Sequence, residues 1–137
     1  MMEINFQSER SIASNQLERL YADVGWTAYT QDLAALEKAV EQSFDVLTAW
    51  HEDLLVGLIR IISDGVSIMY IQDILVLNDY QNQGIATQLM EKILMKYDHI
   101  RQKVLLTEEA ADVRHFYEKF GFESCDQGGC VSFAKFN

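Results

Sequence analysis

Apolar residues recur along this chain with two periods, and the changes of period mark its elements. Residues 3–8 alternate and predict a short strand. From Ser14 to Val24 the apolar positions are Leu17, Leu20, Tyr21 and Val24, one stripe of a helix that Gly25 stops. Thr30 stands where a cap is needed for a second helix over 31–42, with Leu33, Leu36, Ala39 and Val40 inward. Phe44–His51 and Leu54–Ser63 read as a hairpin turned at Glu52-Asp53. Asp64-Gly65 turns the chain into a further strand, Ser67–Leu77. A polar loop, 78–83, opens onto a helix over 85–97 whose stripe is Ile85, Leu89, Ile93 and Leu94. Lys103–Thr107 predicts a strand, and Ala111–Phe120 a helix closed by Gly121. Residues 122–126 and 130–136 predict a last hairpin about Gly128-Gly129.

The order β-α-α-β-β-β-α-β-α-β-β implies a mixed α/β (α+β) fold, a mostly antiparallel sheet flanked by helices with one late crossover helix. The 137 residues hold no repeat, low-complexity tract or linker, so a single domain over 1–137 is expected.

Composition narrows the function classes. A net charge of −10 argues against nucleic acid, which needs clustered Lys and Arg; taken by itself it serves solubility, and it also suits a cationic acceptor by long-range attraction. No apolar run approaches the ~20 residues of a membrane span. The start, Met-Met-Glu-Ile-Asn-Phe, has neither a basic nor an apolar leader region, so a cytoplasmic protein is expected. Cys125 and Cys130 read as free thiols in the terminal hairpin, and without a nearby His they make no zinc site. His51, His99 and His115 are scattered, and no metal is expected.

The densest chemistry lies in Asp73-Ile-Leu-Val-Leu-Asn-Asp-Tyr-Gln81-Asn-Gln-Gly84-Ile-Ala86-Thr87, an apolar strand running through a polar turn into a helix. Such a turn aims backbone N–H groups at one spot before a helix N-terminus, a ready anion site. It has neither the Gly-Lys-Ser/Thr of a nucleotide P-loop nor the Gly-x-Gly-x-x-Gly of a dinucleotide fold. Taken with Phe116-Tyr-Glu-Lys-Phe-Gly-Phe122 about thirty residues later, it resembles the GNAT N-acetyltransferase superfamily. The resemblance covers the chain well from about Phe44 onward, and the first forty residues in general layout.

That resemblance implies acetyl-CoA as co-substrate and direct attack by a primary amine in a ternary complex. The cofactor's pyrophosphate falls to Gln81, Asn82, Gln83, Gly84, Ile85 and Ala86, with the Thr87 hydroxyl alongside. Its pantetheine arm falls to the backbone at Leu75, Val76 and Leu77. Tyr117 corresponds to the family tyrosine that protonates the CoA sulfur; read without the resemblance, it stands beside the apolar stripe Val113, Phe116, Phe120 and packs as core. By strict alternation Asp73 shares a face with Met69, Ile71 and Leu75. It is either a desolvated proton acceptor for the amine, directly or through water, or a structurally hydrogen-bonded carboxylate, or one turned outward by a bulge. Trp26 and Tyr29 lie where the family borders its acceptor, and otherwise anchor the helix pair. The family's Asn seven residues before the tyrosine is Ala110 here, and its common loop Arg is Gln81.

The acceptor that the resemblance implies is a small-molecule or peptide amine. Two other readings stay open: a silent acyl-CoA-binding sensor, and a transferase of another acyl group with Arg60 as the nearest cation. The edge of the C-terminal strands leaves room for a homodimer.

Overall fold

Strands β1 (Asn5–Ser8), β2 (Asp45–His51), β3 (Leu54–Ser63), β4 (Ile68–Val76) and β5 (Gln102–Leu105) lie side by side in chain order in the computed structural model, which describes residues 2–137. The first three pairings are antiparallel and the last, β4 with β5, is parallel. Contacts divide the chain into two compact units, one through Leu105 and one from Leu106 on.

In the first unit the helices are α1 (Ser14–Asp23), α2 (Thr27–Thr30), α3 (Leu33–Glu41) and α4 (Ile85–Lys96). Leu17, Leu20 and Tyr21 of α1 are buried, as the stripe predicts. Gly25 stops α1 with φ +83°, a conformation that costs a glycine little. The cap of α3 falls two residues later than expected. Thr30 ends the short helix α2, where its hydroxyl donates to Thr27 O, and Asp32 instead accepts from Ala35 N–H at 3.1 Å. The ladder between β2 and β3 pairs Ala49 with Gly57, and a Cβ on Gly57 would stand 3.2 Å from Ile85 and 3.3 Å from Leu89. This face of the sheet therefore carries α4, and Lys96 of α4 donates to Asp45 of β2 at 2.7 Å on the same side. Arg60, Leu58 and Thr48 point to the other face, toward α1–α3.

The alternation assumed for β4 breaks. Arg60 pairs with Asp73 while the next residue, Ile61, pairs with Ile71, so Gln72 is an inserted bulge residue. The insertion leaves Asp73 and Leu75 on the α1 face and moves Ile71 and Met69 to the α4 face. One extra residue is enough, because side chains change face at every step.

The second unit contains α5 (Ala111–Glu118), closed by Gly121 at φ +90°. Its rings pack edge to face: Phe116 lies 5.1 Å from Tyr117 and 5.2 Å from Phe120. The terminal hairpin expected over 122–136 is not formed. Those residues hold one 3-10 turn, Cys125–Gln127, and no strand. Val131 and Phe136 are exposed and Phe133 is 95% exposed, so the alternating apolar side chains have no layer to pack on, and a two-stranded ribbon without one is marginal.

Candidate functional site

The loop between β4 and α4 is braced from three sides. Leu77 N–H donates to Val56 O at 2.8 Å, holding the strand end against β3. Asn78 N–H donates to the Asp23 carboxylate at 2.6 Å and its side-chain amide to Asp23 O at 2.7 Å, tying the turn to the end of α1. The Gln81 side chain folds back, donating to Val76 O at 3.0 Å and to Asn78 Oδ1 at 3.1 Å. Gln81 thus offers a ligand its backbone, while its side chain sets the shape of the turn.

Asn82 and Gly84 are left-handed, φ +62° and +82°. A Cβ on Gly84 would meet nothing within 4 Å, so the glycine is required by its φ and the space before the helix is open. The earliest bond of α4 runs from Gln88 N–H to Gly84 O at 3.0 Å. Ile85 and Ala86 therefore stand in the first turn, whose amides have no intrahelical acceptor and point forward at the positive end of the dipole. Asn82 and Gln83, ahead of them in the row, are exposed, and Thr87 is half-buried in the same first turn.

Among the described residues no strand pairs with the β5 side of β4 beyond Ile71. β5 pairs only with Ile68–Ile71, and β4 runs on to Val76. In an antiparallel ladder successive residues direct their peptide groups alternately to the two edges. Leu77 bonds to β3, so Leu75 does as well, whereas Ile74 and Val76 face the edge that β5 has left. Of the three residues expected on the pantetheine arm, Val76 is on the open edge, and Leu75 and Leu77 are turned to β3. Ile74, outside the expected set, shares that edge with Val76. Counting alternation from the strand's last ladder bond is the signal that finds it.

Asp73 lies under the α1–α2 end, 3% exposed. Its oxygens accept from Arg60 Nε at 2.8 Å, the Tyr21 hydroxyl at 2.8 Å and the Tyr29 hydroxyl at 2.9 Å. Arg60 is 5% exposed and also donates to Ser43 Oγ at 3.3 Å. Three donors converging on one carboxylate make an anchored anion, and Arg60 is committed to it rather than free to hold an acyl carboxylate. Burial and the Asp73 charge push both the Tyr21 and the Tyr29 hydroxyl above the ordinary phenol range. Tyr29 is half-buried, and its oxygen also accepts from Gln72 at 3.0 Å. Trp26 is 37% exposed, its ring 6.2 Å from that of Tyr29 and 6.0 Å from that of Tyr21. Asp73, Tyr29 and Trp26 are thus brought together. Sequence reasoning read Tyr21 as core alone and gave Gln72 no part; the bulge that turns Asp73 toward α1 carries no signal in composition.

In the second unit Tyr117 is half-buried on α5. Burial raises its hydroxyl above the usual range, and a hydrogen bond with the Thr107 side chain offsets part of that. Ala110 is the N-cap of α5 and gives no side-chain cap. No group of three or more His, Cys, Asp or Glu suited to a metal occurs among the described residues, and none of their helices is long and apolar enough to cross a membrane.

The family model described as acetyltransferase (GNAT) domain matches residues 26–136. An uncharacterized N-acetyltransferase, ycf52, of Gracilaria tenuistipitata var. liui is 29% identical over 114 residues, 79% of this chain and 60% of that protein. The chain thus spans less than two thirds of that relative. Among solved structures, a GNAT-family acetyltransferase of Streptococcus pneumoniae TIGR4 superposes with a TM-score of 0.85 at 32% identity, over 98% of each chain. AAC(6')-Iy, solved with the bisubstrate analogue CoA-S-monomethyl-acetylneamine, superposes with a TM-score of 0.72 at 13% identity, over 98% of this chain and 99% of that one.

Proposed function

The chain belongs to the GNAT acetyltransferase family, and from that premise we propose that it moves an acetyl group from acetyl-CoA to a primary amine by direct attack in a ternary complex, acting in the cytoplasm. The observation that carries this reading is the pairing of a left-handed Gly84 cradle with a β4 edge that is open from Gln72 to Val76. Acetyl-CoA supplies the activated thioester. The backbone from Gln81 to Ala86, with Thr87, holds its pyrophosphate at the helix N-terminus. The peptide groups of Ile74 and the N–H of Val76, whose carbonyl the Gln81 side chain already holds, receive its extended arm as an added strand would be received.

Tyr117 gives a proton to the departing sulfur. Its raised hydroxyl is protonated at neutral pH, as an acid must be. Asp73 acts by holding the Tyr29 hydroxyl, which donates to the carboxylate and accepts from Gln72. The remaining lone pair of that oxygen faces the acceptor, beside the Trp26 ring, which favours a cation. An alkylamine, with a pKa of about 10.4, arrives protonated and passes its proton to water at this oxygen before attack. The acceptor is a small-molecule or peptide amine. No cysteine stands in the 81–87 loop or in α5, so no acyl-enzyme step is invoked.

Calorimetric titration with acetyl-CoA, followed by thiol release against a panel of amines, tests the reading. Saturable binding with release that depends on one amine class supports it. Tyr117→Phe should then lower kcat about tenfold or more and leave acetyl-CoA affinity unchanged. Binding without turnover on any amine selects the sensor reading, which the uncapped Ala110 favours; no binding removes the cradle from the argument.

A further inference from the structure

His51 closes β2, paired with Leu54 across the turn Glu52-Asp53, where Glu52 has φ +54°. That turn is pinned from α1 by Gln16. The Gln16 amide donates to Asp53 O at 2.8 Å, and its oxygen accepts from Leu55 N–H at 3.1 Å. The end of β2 is therefore a fixed point rather than a fraying tip.

From that point His51 Nδ1 meets the Tyr80 hydroxyl at 2.7 Å, with the two rings 5.6 Å apart. Either tautomer makes the contact: a ring with Nε2–H accepts the phenol proton at Nδ1, and a ring with Nδ1–H donates to the phenol oxygen. Both side chains are half-buried. Tyr80 ends the 3-10 turn Asn78–Tyr80, its own N–H donating to Leu77 O at 2.8 Å, and it directly precedes Gln81, the first residue of the cradle. The bonds of Leu77 to Val56 and of Asn78 to Asp23 hold the start of the loop, and the Gln81 side chain folds back on it. The Tyr80 hydroxyl ties the end of the turn to another element.

This tie stands two residues before a backbone conformation that the loop does not favour by itself. Asn82 is exposed and left-handed, φ +62°, and Gly84 follows at φ +82°. A side-chain-bearing residue keeps such a φ where the surrounding structure over-determines it. With Tyr80 released, Asn82 relaxes toward the ordinary regions, and the amides ahead of α4 no longer converge.

We propose that His51 is a positioning residue for acetyl-CoA: through the Tyr80 hydroxyl it holds the backbone from Gln81 to Gly84 in the shape that receives the pyrophosphate. The role rests on the reading of this loop as the cofactor's cradle. It acts before binding, by ordering the loop in advance, so that less conformational freedom is lost when the cofactor arrives.

Calorimetry with acetyl-CoA and amide relaxation of the cofactor-free chain test the role. Tyr80→Phe keeps the ring and removes the hydrogen bond, and His51→Ala removes its partner. Each should weaken acetyl-CoA binding about fivefold, the equivalent of one ordinary hydrogen bond. Each should also lower the amide order parameters of Asn82–Gly84 from about 0.85 toward about 0.6. The double variant should lose no more affinity than the weaker single, because both changes break one contact. His51→Asn brings an amide within reach of the Nδ1 position, able to donate or accept, and should recover most of the lost affinity; a residue that only filled space would not be rescued in this way. Single variants that bind within about twofold of wild type, additive losses in the double variant, unchanged order parameters or no rescue by Asn would overturn the role and leave the cradle standing. No binding by the wild-type chain removes the cradle and the role together.

Discussion

Removing one member of the Arg60–Asp73 pair should destabilise the fold far more than removing both. The two charges meet at 2.8 Å with side chains 6% and 2% exposed. At an effective dielectric constant near 20, their attraction is about 6 kcal/mol. Most of that is offset by the cost of taking both ions out of water, so the intact pair contributes little against an apolar substitute. Arg60→Met alone leaves Asp73 buried with only the Tyr21 and Tyr29 hydroxyls, and Asp73→Leu alone leaves Arg60 with only Ser43. Each single change should cost about 3–5 kcal/mol, while the double change should cost less than the larger single. Urea melts followed by tryptophan fluorescence read this directly. With a slope of about 1.5 kcal/mol/M, each single variant should lose about 2–3 M in midpoint, and the double variant should regain more than half of it. Single costs below ~1 kcal/mol, or a double cost equal to the sum of the singles, would refute the picture of a desolvated, mutually dependent pair.

Three further outcomes follow from separate parts of the structure. Gly57→Ala places a methyl 3.2 Å from Ile85 and 3.3 Å from both Leu75 O and Leu89; it should cost about 1–3 kcal/mol in the same melts, and a neutral result would mean that α4 does not lie on that face. Gly84→Ala meets no atom but forces a side chain to φ +82°, so it should cost about 1–2 kcal/mol of stability and weaken acetyl-CoA binding at least tenfold by calorimetry; unchanged affinity would count against the cradle. Burial alone would raise Asp45, but donors from Lys96 and Tyr97 outweigh it and hold its folded pKa below the ordinary value, so its stabilising effect is present above about pH 4 and is lost as pH falls through the folded value. Lys96→Met should flatten the acid limb of a stability–pH profile, and an unaltered limb would refute the assignment.

Much of this architecture is legible in the sequence because it rests on long periodic runs. Leu54–Ser63 and the start of α4 at Ile85 fall where the period and the glycine turn put them. What is not legible depends on events one residue in size. The Gln72 bulge changes no composition, yet it decides that Asp73 meets Tyr21 and Tyr29 rather than the α4 side. Thr30 and Asp32 are both good caps, and the choice between them is made by α2, a helix of four residues too short for any periodicity. Val131 and Phe133 alternate as strand residues do, but pairing needs a partner edge that a single segment cannot announce. For the site, the loop motif and the family resemblance identify the cradle, whereas the anchored state of Asp73 needs three side chains from β3, α1 and α2 that are remote in sequence.

The parallel seating of β5 also sets a clock on synthesis. Strands β2, β3 and β4 meet through tight hairpins as they emerge, but Ile68-Met69-Tyr70-Ile71 must wait for Gln102–Leu105, about thirty residues later. At 5–20 residues per second that wait is roughly 2–6 s, with an apolar, strand-forming edge unpaired on a nascent chain. A truncation ending before Gln102 keeps that edge open permanently and should pellet where the full chain remains dispersed. The interval in which this protein is most prone to aggregate is therefore written into the crossover that builds its cradle.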